Sequence, residues 1–215
     1  MSLARRLSIF PAVDTMEAAE VGNPETDALL PRTGRARTLL GRVNAWDLAL
    51  IRYLADHSLP RALNLPLILL VRIGDGWIWA AVALSLYWAL PAAQLQTVVA
   101  RCLVALAFSL ALYWPVKLLV RRTRPHKIGL GIAAQVPPLD KYSFPSGHTM
   151  NNLAVALALA SQFQGLIAAA IGFPLLLGAL RVKFGVHFLT DILGGGVLGA
   201  SAFAIARAVF PLVGL

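Results

Sequence analysis

The chain has 215 residues, 58% of them hydrophobic and only 13% charged, with a formal net charge of +9. A soluble domain carries about a quarter charged residues and about half apolar ones, so an apolar excess of this size points to lipid as the solvent. The cations fall in an N-terminal segment and at the ends of apolar runs, not along a basic face interleaved with aromatics; this argues against nucleic acid and suits lipid headgroups and phosphates.

Residues 1–44 are polar, with Pro24, Pro31, Gly34 and Gly41 set among arginines and acidic residues, and are expected to form a flexible or surface-lying tail. Arg5 and Arg6 precede only a short apolar stretch before Asp14, so no cleavable signal peptide is expected. Between 45 and 58, Trp46, Leu50, Tyr53 and Leu54 recur at helical spacing, with Asp47, Arg52 and Asp56 on other faces. This is the pattern of an interfacial amphipathic helix.

The remainder, 59–215, reads as one transmembrane catalytic domain. Its first apolar stretch, 60–74, is shorter than the ~20 residues of a usual span. It either crosses with help from its flanks or dips into the interface. Spans are predicted at 77–90, opened by Trp77 and Trp79, and at 95–120, where Arg101 is placed to snorkel. A loop rich in Arg, Lys and Pro covers 121–144, and three spans follow near 146–163, 165–183 and 189–210. Gly194, Gly195, Gly196, Gly199 and Ala200 allow close helix approach in the last. The expected fold is all-α, a polytopic helical bundle with five or six transmembrane helices. The lone Cys102 can form no internal disulfide, and no CxxC or Cys/His metal pattern occurs, so no cofactor or metal is expected.

Three polar clusters interrupt the apolar chain, and the alternation of spans puts all three on one membrane side. In the first, Lys117 and Arg124 are seven residues apart, about two helical turns, so on a continuous helix they point the same way. Arg offers a planar fork and Lys a mobile charge, a pair suited to a phosphate dianion. A positive juxtamembrane cap is the blander alternative, and it suffices for Arg121 and Arg122. Pro125 is expected to stop the helix. The second cluster, 144–149, places Ser146, Gly147 and His148 at a turn feeding a helix, where free backbone N–H groups attract anions. Gly147 would let a phosphate approach, and His148 could protonate a leaving oxygen. A plain N-cap by Ser146 is the alternative. In the third, His187 and Asp191 are four apart and would share a helix face, the carboxylate leaving one imidazole nitrogen free as base or nucleophile. Arg181 adds a phosphate donor, although such a cluster could also be merely structural. His57 and His126 read as surface residues, and Asp140, Lys141 and Tyr142 would shape the entrance.

In combination, K-x6-RP, then PSGH, then R-x5-H-x3-D resembles the type 2 phosphatidic acid phosphatase superfamily, which also includes the vanadium-dependent haloperoxidases. The resemblance covers about residues 75–210. It implies that Lys117, Arg124 and Arg181 bind phosphate, with Ser146 and the Gly147 backbone completing the cradle. It also implies His187 as a nucleophile forming a phosphohistidine, Asp191 as its orienting group and His148 as the acid. Leu180 stands where the family usually has Ser, which bears on substrate preference.

The implied function is metal-independent hydrolysis of a lipid phosphomonoester or pyrophosphate, on a polyprenyl pyrophosphate such as undecaprenyl pyrophosphate, phosphatidylglycerol phosphate, phosphatidic acid or a lipid A type. Phosphotransfer through the same phosphohistidine, or non-catalytic lipid-phosphate binding, are the alternatives. The partners are the substrate and the bilayer. If 60–74 crosses, the arginine-rich tail lies opposite the site, which then faces the periplasm or exterior of a bacterial inner membrane; this is the expected arrangement. If 60–74 lies in the interface, the same charge rule places the site in the cytoplasm.

Overall fold

The computed structural model describes residues 35–57, 60–128, 134 and 136–215. Among these residues seven helices form where apolar runs lie between the polar breaks: α1 (Arg35–Asp56), α2 (Arg61–Ile73), α3 (Trp77–Ala89), α4 (Ala92–Val120), α5 (Gly147–Ala160), α6 (Ile167–Lys183) and α7 (Leu189–Val209). There is no strand among the described residues, so the fold is the all-α bundle expected. The first 34 residues of the expected tail lie outside the described residues, but from Arg35 onward the chain is helical, earlier than the apolar period at 45 suggests.

α5 is the axis of the bundle. It is buried along nearly all of its length and packs against α4, α6 and α7. Its short side chains Ala154, Ala156, Ala158 and Ala160 leave room for neighbours, and α7 meets it with glycine. A Cβ on Gly199 would lie 2.5 Å from the Met150 carbonyl oxygen, so only hydrogen fits between the two helices at that level. The outward faces keep large apolar residues such as Leu103, Leu119, Leu193 and Val197 exposed, as helices facing lipid do.

Among the described residues three segments are each long and apolar enough to cross a bilayer: Ala92–Lys127, Gln164–Lys183 and Leu189–Val213. α2 and α3 have 13 residues each, about 20 Å at 1.5 Å per residue, short of the ~30 Å hydrocarbon core. They are bent by 64° from one another.

The placement of α1 and α2 adds contacts that the amphipathic pattern alone does not report. Leu50 and Leu54 pack on the bundle, but Trp46 and Tyr53 are exposed. Asp47, expected on an outward face, is buried against the start of α7. Lys183, at the end of α6, donates to Leu54 O at 2.5 Å and also to His57 O, satisfying the last carbonyls of α1. α2 starts shortly beyond His57 and packs Leu67, Ile68 and Val71 against Phe184 and Val186, between α6 and α7. It finishes beside Asp75, which binds Arg181. Both ends of α2 therefore lie at the end of the bundle where α4 stops and α7 starts. A salt-bridged, capped end thus gathers α1 and α2 onto one face, while α3 to α7 run alternately away from it and back.

The close α5–α7 contact predicts that Gly199→Ala destabilises the protein by about 1–3 kcal/mol, because its methyl meets backbone that cannot rotate aside. Thermal unfolding in detergent should show a lowered midpoint; an unchanged midpoint would mean that the two helices are not held this closely.

Candidate active site

The first cluster converges by a different route from the one its spacing suggests. α4 ends at Val120, before Pro125, and Arg121 closes it in the left-handed conformation with φ 48°. The chain then runs extended until a 3-10 turn at Pro125–Lys127. Lys117 and Arg124 therefore do not share one helix face. They meet because Lys117 points inward from the last turn of α4 while Arg124 reaches back from the extended segment. Both contact Asp140 Oδ1, at 2.8 and 2.7 Å. Tyr113 completes the group, accepting from Lys117 Nζ at 2.7 Å and donating to Asp140 Oδ2 at 2.7 Å.

The second cluster begins α5. Ser146 is the N-cap: its Oγ accepts from Thr149 N at 3.5 Å and from Thr149 Oγ1 at 3.2 Å, while its own N–H donates to Asp191 O at 3.0 Å. Gly147 has a packing reason to be glycine, since a Cβ there would come within 2.8 Å of the Tyr113 ring. His148 Nε2 lies 2.5 Å from Asp75 Oδ1 and 2.6 Å from Arg181 Nη2. The Asp75 oxygen also accepts from Arg181 at 2.6 Å.

His187 and Asp191 meet, but not on a helix face. His187 sits in the link before α7, and Asp191 lies in the first turn, where its Oδ2 accepts from Phe188 N at 2.8 Å and from His187 Nδ1 at 3.3 Å. A helix start needs acceptors for its free N–H groups, so the carboxylate that orients His187 also caps α7. On the other ring nitrogen, Nε2 accepts from Arg124 Nη1 at 3.3 Å. A guanidinium can only donate and an ionised carboxylate only accept, which gives a neutral ring with its proton on Nδ1 and its lone pair on Nε2. Burial lowers the pKa of His187 and the Asp191 contact opposes this; Arg124 and Arg181 lower it further, to about 4. The ring therefore stays neutral until the pH falls well below the ordinary imidazole value.

Lys117, Arg124, Arg181 and His187 are each 1% exposed, and Asp191 is fully buried. Arg181 Nε is also buried and has no hydrogen-bond partner among the described residues, a donor that an anion in the cluster would satisfy. Burial alone would raise the pKa of Asp140, but Lys117, Tyr113 and Arg124 outweigh it and hold the carboxyl at about 2. Asp140 and Asp75 thus occupy donors that a phosphate would need. From the sequence, Asp140 is expected at the entrance and Asp75 has no assigned role. Arg122, expected to point away as a plain cap, instead donates to Asp191 Oδ1 at 2.8 Å and to Asp47 Oδ2 at 2.7 Å. Arg121 does stay outside the cluster, with its Nε on the Leu118 carbonyl. One signal for Asp75 was available in the sequence, a carboxylate flanked by two glycines between apolar runs; nothing local marks Arg122 or Asp47.

A cavity of about 580 Å³ opens beside His148, Asp140 and Tyr113 and extends between α3, α4 and α5. Its deeper wall is apolar, with Leu86, Val99, Leu103 and Leu106 among the lining residues. Among the described residues no group of three or more His, Cys, Asp or Glu side chains is arranged to hold a metal ion.

A model of the PAP2 superfamily matches residues 98–213, more than half of the chain. The chain belongs to the PAP2 superfamily. It is 32% identical over 131 residues to the decaprenylphosphoryl-5-phosphoribose phosphatase of Mycobacterium tuberculosis, covering 61% of this chain and 71% of that one. Over 79 residues it is 36% identical to phosphatidylglycerophosphatase B of Bacillus subtilis, covering 32% and 39% of the two chains. Its fold is that of solved PAP2 membrane proteins. Aquifex aeolicus LpxE superposes with a TM-score of 0.61 at 23% identity, covering 75% of this chain and 94% of that one. The transmembrane PAP2 type phosphatidylglycerolphosphate phosphatase of Bacillus subtilis gives 0.60 at 23%, covering 80% and 88%. The protein is thus an integral membrane member of a family whose matched relatives are lipid phosphatases.

Because Asp140 competes for Lys117 and Arg124, Asp140→Asn should tighten inhibition by inorganic phosphate or vanadate severalfold. Titrating the inhibitor against turnover checks this; unchanged or weakened inhibition would show that Asp140 does not compete with the anion.

Proposed function

We propose that this PAP2 protein is a metal-independent phosphatase acting on a terminal phosphomonoester of a long-chain lipid through a phosphohistidine at His187. The observation that carries the reading is the His187 lone pair on Nε2, aimed into a buried group of Lys117, Arg124 and Arg181 with an apolar cavity alongside. Binding alone would need the cations but not an oriented, neutral imidazole.

In the first step His187 Nε2 attacks phosphorus, and the bond to the lipid oxygen breaks. His148 supplies the proton that leaves with the lipid alcohol. Asp191 stabilises the positive charge that develops on the His187 ring. Water then attacks the phosphohistidine, the P–N bond breaks, and His148 takes back a proton as inorganic phosphate forms. Three cations and the N-terminus of α5 neutralise the transferring group without a metal. The cavity between α3, α4 and α5 takes the lipid chain. Similarity to a phosphatase of a prenyl-linked sugar phosphate supports a terminal monoester over a pyrophosphate.

The orientation follows from α2. Both of its ends lie on the site side, so we read α2 as lying along the interface, with α3 to α7 running alternately away from the site face and back. Arg42, Arg52, Arg72, Arg121, Lys127, Lys141 and Lys183 then share the site side, against Arg101 and Arg207 near the other. The excess of cations on that side supports a site at the cytoplasmic face, the arrangement expected if 60–74 lies in the interface.

His187→Ala should abolish phosphate release from a panel of lipid phosphomonoesters while leaving the protein folded, and wild-type activity should persist in EDTA. Near-normal turnover in the variant would overturn the nucleophile, and an EDTA loss restored by a divalent ion would overturn metal independence. For orientation, single cysteines at Lys141 and Gln164, in a Cys102→Ala background, are probed on intact cells with a membrane-impermeant thiol reagent. Labelling at 164 but not at 141 is expected; the reverse pattern places the site outside.

A further inference from the structure

The buried polar network of the site does not stop at Asp191. Arg122 Nη1 donates to Asp191 Oδ1 at 2.8 Å and to Thr190 Oγ1 at 2.6 Å, while Nη2 donates to Asp47 Oδ2 at 2.7 Å and Asn44 Oδ1 at 3.1 Å. Its guanidinium lies over the Phe188 ring, 4.0 Å from the centroid. Asp47 in turn accepts from Thr190 N at 3.2 Å and from the Thr190 hydroxyl. Asp47 is 3% exposed. A continuous line therefore runs Asp47, Arg122, Asp191, His187, alternating in charge, and it starts on a helix outside the residues that the family model matches.

We infer that Asp47 of α1 and Arg122 are positioning residues for the His187–Asp191 pair, so that the surface helix α1 is a working part of the active site. The inference rests on the reading of His187 as the nucleophile. Asp191 must hold its carboxylate in one plane to orient His187, and each of its two oxygens is held from outside the pair: Oδ1 by Arg122 and Oδ2 by Phe188 N. Arg122 cannot take both carboxylates unless its fork is fixed, and Asp47 fixes it. Charge balance points the same way. Arg122 draws on Asp191 and weakens its support for a positive His187 ring, while Asp47 offsets part of that pull. The other charged groups facing His187 are Arg124, from the segment after α4, and Arg181, from α6.

The two residues therefore have opposite electrostatic effects on the nucleophile but the same geometric one. Arg122→Gln should lower kcat by on the order of 10-fold, and Asp47→Asn by severalfold, with KM within about twofold of wild type, since neither residue touches the phosphate. The acid limb of the kcat/KM profile should move to higher pH in Arg122→Gln, where Asp191 acts on the ring unopposed, and to lower pH in Asp47→Asn. In the double variant, Asp47→Asn should add nothing to the loss in kcat. Thermal unfolding in detergent accompanies each measurement. If Asp47→Asn does not fold, Arg122→Lys carries the test alone: it keeps the charge but not the fork, and should give a kcat between wild type and Arg122→Gln. Wild-type kcat in the single variants, or acid limbs that do not move, would overturn the proposal. His187→Ala is measured alongside. An inactive His187→Ala with unaffected Asp47 and Arg122 variants sinks this inference only, whereas an active His187→Ala sinks the nucleophile itself.

Discussion

Everything at the working end of this bundle depends on pairing buried cations with buried carboxylates. Lys117, Arg122, Arg124 and Arg181 are matched by Asp140, Asp47, Asp191 and Asp75 through direct contacts of 2.6–2.8 Å. An unpaired charge in such a place would cost several kcal/mol, and removing one partner of a buried pair typically costs about 3–5 kcal/mol. The carboxylates differ in how they can be spared. Asp47 and Asp191 are nearly or fully buried and hold protein to protein, whereas Asp75 and Asp140 are 14% and 23% exposed beside the cavity. A phosphate dianion can replace the second pair without unmaking the first. This division lets one electrostatic network both hold the fold and release donors to a substrate.

The same network explains why the short elements sit where they do. α1 packs Leu48, Leu50, Ile51 and Leu54 on the bundle and is further held by Lys183 on its closing carbonyls and by Arg122 on Asp47. α2 is kept at the site face by its packing on Phe184 and Val186 and by the Asp75 contacts that follow it. Far from that face the forces change. α5 and α7 approach through alanine and glycine, and the packing is set by how closely backbones can meet.

Much of this was legible in the sequence. The apolar runs located the helices, because helices satisfy their own backbone groups in lipid, and the three polar clusters stood out because ionisable residues are costly in an apolar chain. The residues of K-x6-RP, PSGH and R-x5-H-x3-D do converge. The reasons for convergence were less visible. Helical spacing suggested that Lys117 and Arg124 share a face, but α4 ends at Val120 and the pair meets through an extended segment. The i, i+4 rule put His187 and Asp191 on one helix, but Asp191 reaches back as a cap. Asp47, Asp75 and Arg122 were missed as partners because their roles depend on contacts across 69 to 143 residues, which no local period reports. Whether α2 crosses could not be read from its length, since both ends had to be located in space first.

The central claim is that His187 carries the phosphoryl group between lipid and water. The most direct measurement is to mix the purified protein with a lipid bearing a labelled terminal phosphate, quench in alkali during turnover, and locate the label by mass spectrometry. A phosphohistidine is stable in base and labile in acid, so the label should survive alkali, be lost in acid, and map to His187. Full turnover with no labelled protein, or a label on any other residue, would contradict it.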